Sequence, residues 1–317
     1  MHQPAEGRRF AAILFTLLTG IALSLGGGPL RAAPEGSPWG AGYFPNVPLQ
    51  TQDGSTVRFY DDLIKDKVFA INLIFTHCTD TCPAETANLR QVEKLLGDRV
   101  GKDIFFYSIS IDPKRDTPAS LKAYARKFKA GPGWTFLTGN PKDVTLIRRK
   151  LGMYRDDAEG RKLAGHSTHF IVGNDRTGQW IKRSPFDEPK TLAHLLGSRL
   201  PNVQAERPDR VSYAQAPQLA NPGQGEKLFR SRCDSCHSLG EEEGIGPGLA
   251  GVTHNRDRAW LSRWLKSPDR MIEEKDPLAL ALYQRYQRVA MPNLRLSDAD
   301  VNALIDYMER SAQAVVR

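Results

Sequence analysis

Apolar positions change period several times along the chain, and each change marks an element. Val68–Thr76 (VFAINLIFT) and Asp103–Ile111 (DIFFYSISI) are nearly continuous apolar runs, as expected of strands covered on both faces. Between them, Pro83 to Val100 carries Leu89, Val92, Leu95 and Leu96 at helical spacing,. Thr117-Pro118 supplies an N-cap and a first-turn proline for a helix reaching Phe128,. Asn140-Pro141 repeats the device for a helix to Leu151. Thr168–Gly173 and Gln179–Arg183 read as strands joined across Asn174–Gly178, and Pro189–Leu200 as a closing helix. Ahead of all these, Pro48–Gln52 and Thr56–Tyr60 flank Asp53-Gly54, a turn-forming dipeptide, and predict a hairpin,.

Strand, helix, strand, two helices, a hairpin and a final helix predict a three-layer α/β domain with a mixed sheet over residues 42–200. A thioredoxin-like architecture is the best match. Pro201 to Gly223 is rich in Pro, Gln and Ala without a period and reads as a linker,. From Gln224 to Arg317 no strand run remains, which predicts an all-α second domain.

The start of the chain has a different character. Arg8-Arg9 precede an uncharged stretch of 21 residues, Phe10 to Leu30, with Ala32 and Ala33 after it. A basic start, an apolar middle and small residues at the end describe an export signal over residues 1–33. Arg31 stands where a cleavage site wants a small residue, and 21 residues approach a membrane-spanning length, so a retained anchor is the alternative. Both predict a bacterial periplasmic protein, free or held at the inner membrane.

Composition adds exclusions. With 317 residues, 25% charged and 40% hydrophobic, the chain has room for two cored domains and is neither disordered nor multi-spanning,. Residues 221–317 hold 14 basic and 14 acidic side chains, so the net +8 lies entirely in the first 220. No basic run interleaved with aromatics accompanies it, which argues against a nucleic-acid partner.

The four cysteines form two close pairs, an arrangement that reads as chemistry and not as a stapled fold,. Cys78 and Cys82 sit where the first buried strand gives way to a helix, and the carboxyl edge of such a sheet is where sites form. Four residues apart, they share one helix face, and the helix N-terminus should lower their pKa. Such a pair can close a disulfide or hold a soft metal such as Cu(I). Cys233-Asp-Ser-Cys236-His237 is the C-x-x-C-H pattern of covalent haem c attachment, with His237 as proximal iron ligand,. A zinc site would need a second ligand pair that the region lacks.

Phe75-Thr-His-Cys78-Thr-Asp-Thr-Cys82-Pro83 and Ser110-Ile-Asp-Pro-Lys-Arg-Asp-Thr-Pro118 resemble, in that order, two motifs of the Sco/SenC proteins, over about Gly42 to Leu200. The resemblance implies a thioredoxin-like fold and one copper ion held by Cys78, Cys82 and a distant histidine. That histidine is expected at His166, in Gly165-His166-Ser167; many relatives have Asp where this chain has Gly165. His169 is the rival, and strand alternation should point it to the other face. His77, still on the strand, should also face away. Asp112 and Asp116 are read as caps without a catalytic role. The resemblance further implies delivery of copper to the dinuclear copper site of a haem–copper oxidase, or thiol reduction of that site's cysteines.

Asn221 to Arg310 resembles a class I c-type cytochrome, whose sixth ligand is a Met before Pro. Met291-Pro292 fits; Met271 is the competitor, Met308 reads as core, and His254 would make the haem bis-histidine. Trp260, Leu261 and Trp264 read as helix packing. Methionine–histidine ligation suits an electron carrier exchanging with respiratory donors or acceptors. Three functions are thus expected in order: a metallochaperone and electron carrier; a thiol–disulfide oxidoreductase using Cys78 and Cys82 as a redox pair; and an electron carrier that the first domain merely docks.

Overall fold

The computed structural model describes residues 39–79, 81–157, 163, 169–201 and 222–315. The leader, the linker residues 202–221 and His166 lie outside the described residues. Among the described residues no helix is long and apolar enough to cross a membrane.

The first part is a seven-stranded mixed sheet. Its strands are β1 (Pro48–Thr51), β2 (Thr56–Arg58), β3 (Val68–Ile74), β4 (Ile104–Ser110), β5 (Trp134–Gly139), β6 (Phe170–Asn174) and β7 (Gln179–Arg183), in the order β2-β1-β5-β4-β3-β6-β7. β3, β4 and β5 are parallel; β1 runs antiparallel to β5 and β6 antiparallel to β3. The helices are α1 (Cys82–Leu96), α2 (Pro118–Lys127), α3 (Pro141–Lys150) and α4 (Pro189–His194). This is the thioredoxin-like α/β plan.

β5 corrects the expected element order, which passed from one helix directly to the next. Trp134–Gly139 is the third parallel strand, pairing Phe106–Ile109 of β4 on one side and Leu49–Thr51 of β1 on the other. Trp134 and Phe136 enter one core layer and Leu137 the other, so it lacks the alternation of a strand with one face in water,.

Strand alternation sorts the core into two layers. Ala70, Ile74, Phe106 and Phe136 pack toward α1, α2 and α4, with Leu89, Val92, Leu121 and Leu192. Phe69, Ile71, Leu73, Tyr107 and Ile109 pack on the opposite face, with Phe59, Val144 and Ile147. One polar relay crosses the first layer: the Trp134 indole N–H donates to Ser108 Oγ at 2.9 Å, which donates to Asn72 Oδ1 at 2.6 Å. Buried polar atoms persist when paired in this way.

The second part is helical, as expected: α5 (Gln224–Arg232), α6 (Val252–Asn255), α7 (Arg258–Lys266), α8 (Pro268–Glu273), α9 (Pro277–Arg285) and α10 (Asp298–Val315). α5 crosses α10 so closely that a Cβ on Gly225 would meet the Ala303 carbonyl oxygen at 2.0 Å. Only glycine permits that approach. Phe229, Leu261, Leu265, Leu304 and Ile305 form the core of this crossing.

Candidate functional site

β3 ends at Ile74 because the chain turns there, with the Cys78 N–H donating to the Phe75 carbonyl at 3.1 Å. α1 then starts at Cys82 with Pro83 in its first turn, where a missing N–H costs nothing. The side chains of the two cysteines touch, and they are 7% and 0% exposed. The Cys82 thiol is pushed well above its ordinary pKa, first by its hydrogen bond with Cys78 and then by burial, with Glu85 adding repulsion. For Cys82 this runs against the lowered pKa expected from the helix N-terminus: the second sulfur and burial outweigh the dipole,.

Asp116 is the residue that sequence reasoning undervalued. It is 1% exposed and accepts from the Thr76 N–H at 3.0 Å, the Thr76 hydroxyl at 2.6 Å and the Ser110 hydroxyl at 2.6 Å. It thus ties the cysteine loop to the end of β4. The motif Ser110–Pro118 held the signal, but its partner Thr76 lies 40 residues upstream. His77 stands on the turn after β3, not on the strand, with a side chain 57% exposed. Its Nδ1 lies 3.1 Å from the Thr76 hydroxyl and 3.7 Å from Asp116. His169 is exposed at the start of β6.

Below α1, Thr86 donates to the Cys82 carbonyl at 2.8 Å, and the fully buried Tyr124 hydroxyl lies 3.0 Å from the Thr86 hydroxyl. These bonds hold the first turn of α1 against α2.

The second cysteine pair follows α5. His237 N–H bonds the Cys233 carbonyl at 2.9 Å, a single helical turn that places Cys233, Cys236 and His237 around one hollow. The His237 ring is held by Nδ1, 2.9 Å from the Pro247 carbonyl. That contact makes Nδ1 the protonated nitrogen and leaves Nε2 free for a metal, the arrangement that orients metal-binding imidazoles. Burial lowers the His237 pKa, opposed by the Pro247 bond, which raises it. A Cβ on Gly246 would come 2.5 Å from the His237 ring, so the loop can pass there only as glycine.

Two apolar cavities adjoin His237. One, about 200 Å³, includes Cys233, Leu249, Trp260 and Leu304. The other, about 60 Å³, includes Cys236, Ile245, Tyr286 and Pro83. His237, Trp264, Leu282 and Met291 line both. An apolar slot with a histidine and a methionine at the junction of its two halves, and one cysteine in each, fits a haem attached through both sulfurs. Burial pushes the thiols up to about 12 for Cys233 and about 11 for Cys236, as suits sulfurs buried without charge. Trp260 and Trp264, expected as packing alone, are walls of this slot. Met271 is fully buried in a core with Trp264 and Ala279 and lines neither cavity. His254 is exposed.

Fold and sites together define a class: a thioredoxin-like domain with a buried dithiol at its sheet edge, followed by a helical c-type cytochrome domain. A SCO1/SenC family model matches residues 47–196 and a cytochrome c model matches residues 223–312. A SCO2-like protein of Rickettsia conorii is 31% identical over 144 residues, covering 44% of this chain and 68% of that protein. The SCO1 homolog of Bacillus subtilis is 28% identical over 149 residues, covering 44% of this chain and 75% of that one. The solved cytochrome c domain of a Pseudomonas putida protein is 55% identical, covering 29% of this chain and 91% of that chain, with a TM-score of 0.28. The chain belongs to the SCO1/SenC family and carries a cytochrome c domain at its C-terminal end.

Proposed function

We propose that the protein binds one copper ion through Cys78, Cys82 and His166 and supplies it, in the bacterial periplasm, to the dinuclear copper site of a haem–copper oxidase. The observation that carries this reading is the contact of two buried cysteine side chains where β3 gives way to α1. Two sulfurs side by side and out of water form a soft donor pair of the kind that holds Cu(I),. Asp116, Thr76, Thr86 and Tyr124 keep the two sulfurs in register.

Cys233 and Cys236 would hold one covalent haem c, with His237 and Met291 as its axial ligands. The haem supplies one-electron transfer. Pro247 fixes the His237 ring, while Trp260, Trp264 and Leu282 exclude water. A haem held there would be able to exchange single electrons with copper held by the first domain. Respiratory donors or acceptors would reset the haem.

An anaerobic Cu(I) titration of the reduced, haem-loaded chain against a competing chelator tests the reading. One tight equivalent, much weakened in His166→Ala, is expected. Binding indifferent to His166 would leave a bare dithiol and favour the oxidoreductase.

A further inference from the structure

A helix lying on a sheet normally leaves its outer face to water. In α1 every residue from Cys82 to Leu89 is buried. The inner face meets the sheet, α4 packs along the helix, and Pro83 and Gln91 meet the haem-attachment loop. Cys236, Ile245 and Val289 pack against the hydrophobic layer that α1 shares. Ser235 is 8% exposed, and the Gln91 amide donates to its carbonyl at 3.5 Å. Arg232 stands over the Phe186 ring, 5.7 Å from its centroid. The Phe186 loop is itself tied to α1, because the Asn88 amide donates to the carbonyls of Pro185 and Asp187 at 2.8 and 2.9 Å. Pro83, next in sequence to Cys82, walls the same cavity as Cys236, His237 and Met291.

We propose that α1 and the Phe186 loop form a built-in docking face that closes the Cys236 edge of the haem slot to protein-sized partners. While the face is docked, the haem edge looks onto Pro83 and the cysteine-bearing end of α1, and only small molecules reach it from outside. An external protein gains that edge when the two domains part. The proposal rests on the haem assignment above. It does not depend on copper. The contacts are partly polar, as at interfaces that open and close within a chain,.

The test uses the full, haem-loaded chain. Phe186→Lys sets a cation against Arg232, and Gln91→Glu sets an acceptor against the Ser235 carbonyl; neither residue is fully buried. Hydrogen exchange should show residues 83–91 and 232–238 protected in the wild type and deprotected together in each variant. In stopped-flow mixing, a reduced blue-copper protein should reduce the variant haem about tenfold faster or more. Dithionite should reduce wild type and variants at equal rates. Equal rates with the protein reductant, or free exchange of both segments in the wild type, would overturn the docking face. Loss of Cu(I) binding in all forms, with the protection changes intact, would instead count against the copper reading alone.

Discussion

Asp116 binds both the backbone N–H and the hydroxyl of Thr76, two residues before Cys78. A carboxylate from the loop after β4 therefore sets the path of the chain into the dithiol. Bonds to a charged acceptor are the stronger kind, and a buried donor left without one keeps its full desolvation penalty.

Asp116→Ala should accordingly destabilise the α/β domain by about 3 kcal/mol, from the loss of charge-assisted bonds and the stranding of Thr76 and Ser110. Copper affinity should fall about tenfold to a hundredfold, as for other residues that orient ligands without touching the metal. Urea unfolding gives the first quantity and the Cu(I) titration the second. An unchanged affinity beside lost stability would restrict Asp116 to a folding role.

Gly246 faces the His237 ring across a gap that no Cβ fits. Gly246→Ala should push the ring or the Pro247 loop aside and break the 2.9 Å contact at Nδ1. The chain should still receive haem at Cys233 and Cys236, while the axial spectrum changes and the midpoint potential shifts. Covalent haem staining against optical redox titration separates the two effects. Wild-type potential in the alanine variant would show that the loop yields.

The elements nearest the sites were legible from the sequence wherever one segment carried its own signal. The run Val68–Ile74, the cap Thr117-Pro118 and the C-x-x-C-H turn are each local. β5 escaped because both its faces are covered, with Trp134 and Phe136 in one core layer and Leu137 in the other, and that burial removes the alternation that would have declared it,. The Cys82 pKa was misjudged for a related reason. A helix terminus is visible in a sequence, whereas the burial that overrides it depends on Tyr124, the sheet and the second sulfur. Asp116 and Gly246 owe their roles to Thr76 and His237, neighbours that only the folded chain supplies. His166 rests on family resemblance and falls outside the described residues.

Asp276 gives the cytochrome domain a predictable acid limb. Its carboxylate caps α9, accepting from Leu278 at 3.1 Å and Ala279 at 3.0 Å, and receives the Trp260 indole N–H at 3.3 Å. The Ala279 N–H above all, then the Trp260 bond, holds its pKa below the ordinary carboxylate value. A carboxylate lowered on folding contributes stability that is present above the unfolded pKa, about 3.9, and lost as pH falls through the folded value. Asp276→Asn should therefore lower Tm at neutral pH and flatten the Tm decline below about pH 4. Thermal unfolding followed by the haem absorbance across that range checks it. A variant whose decline parallels the wild type would assign the acid limb to other carboxylates.

Met291 and Met271 offer the sharpest contrast within the haem domain. Met291 lines both cavities opposite the loop that fixes His237, whereas Met271 is sealed in the core with Trp264 and Ala279. Replacing either by leucine nearly conserves volume, so each should cost less than about 1.5 kcal/mol of stability. Their effects on the iron should differ. Met291→Leu should abolish the near-infrared sulfur-to-iron band and lower the midpoint potential, because the thioether ligand raises it. Met271→Leu should leave both unchanged. Retention of the band in Met291→Leu would move the sixth ligand elsewhere, and its loss in Met271→Leu would identify the sulfur that had taken its place.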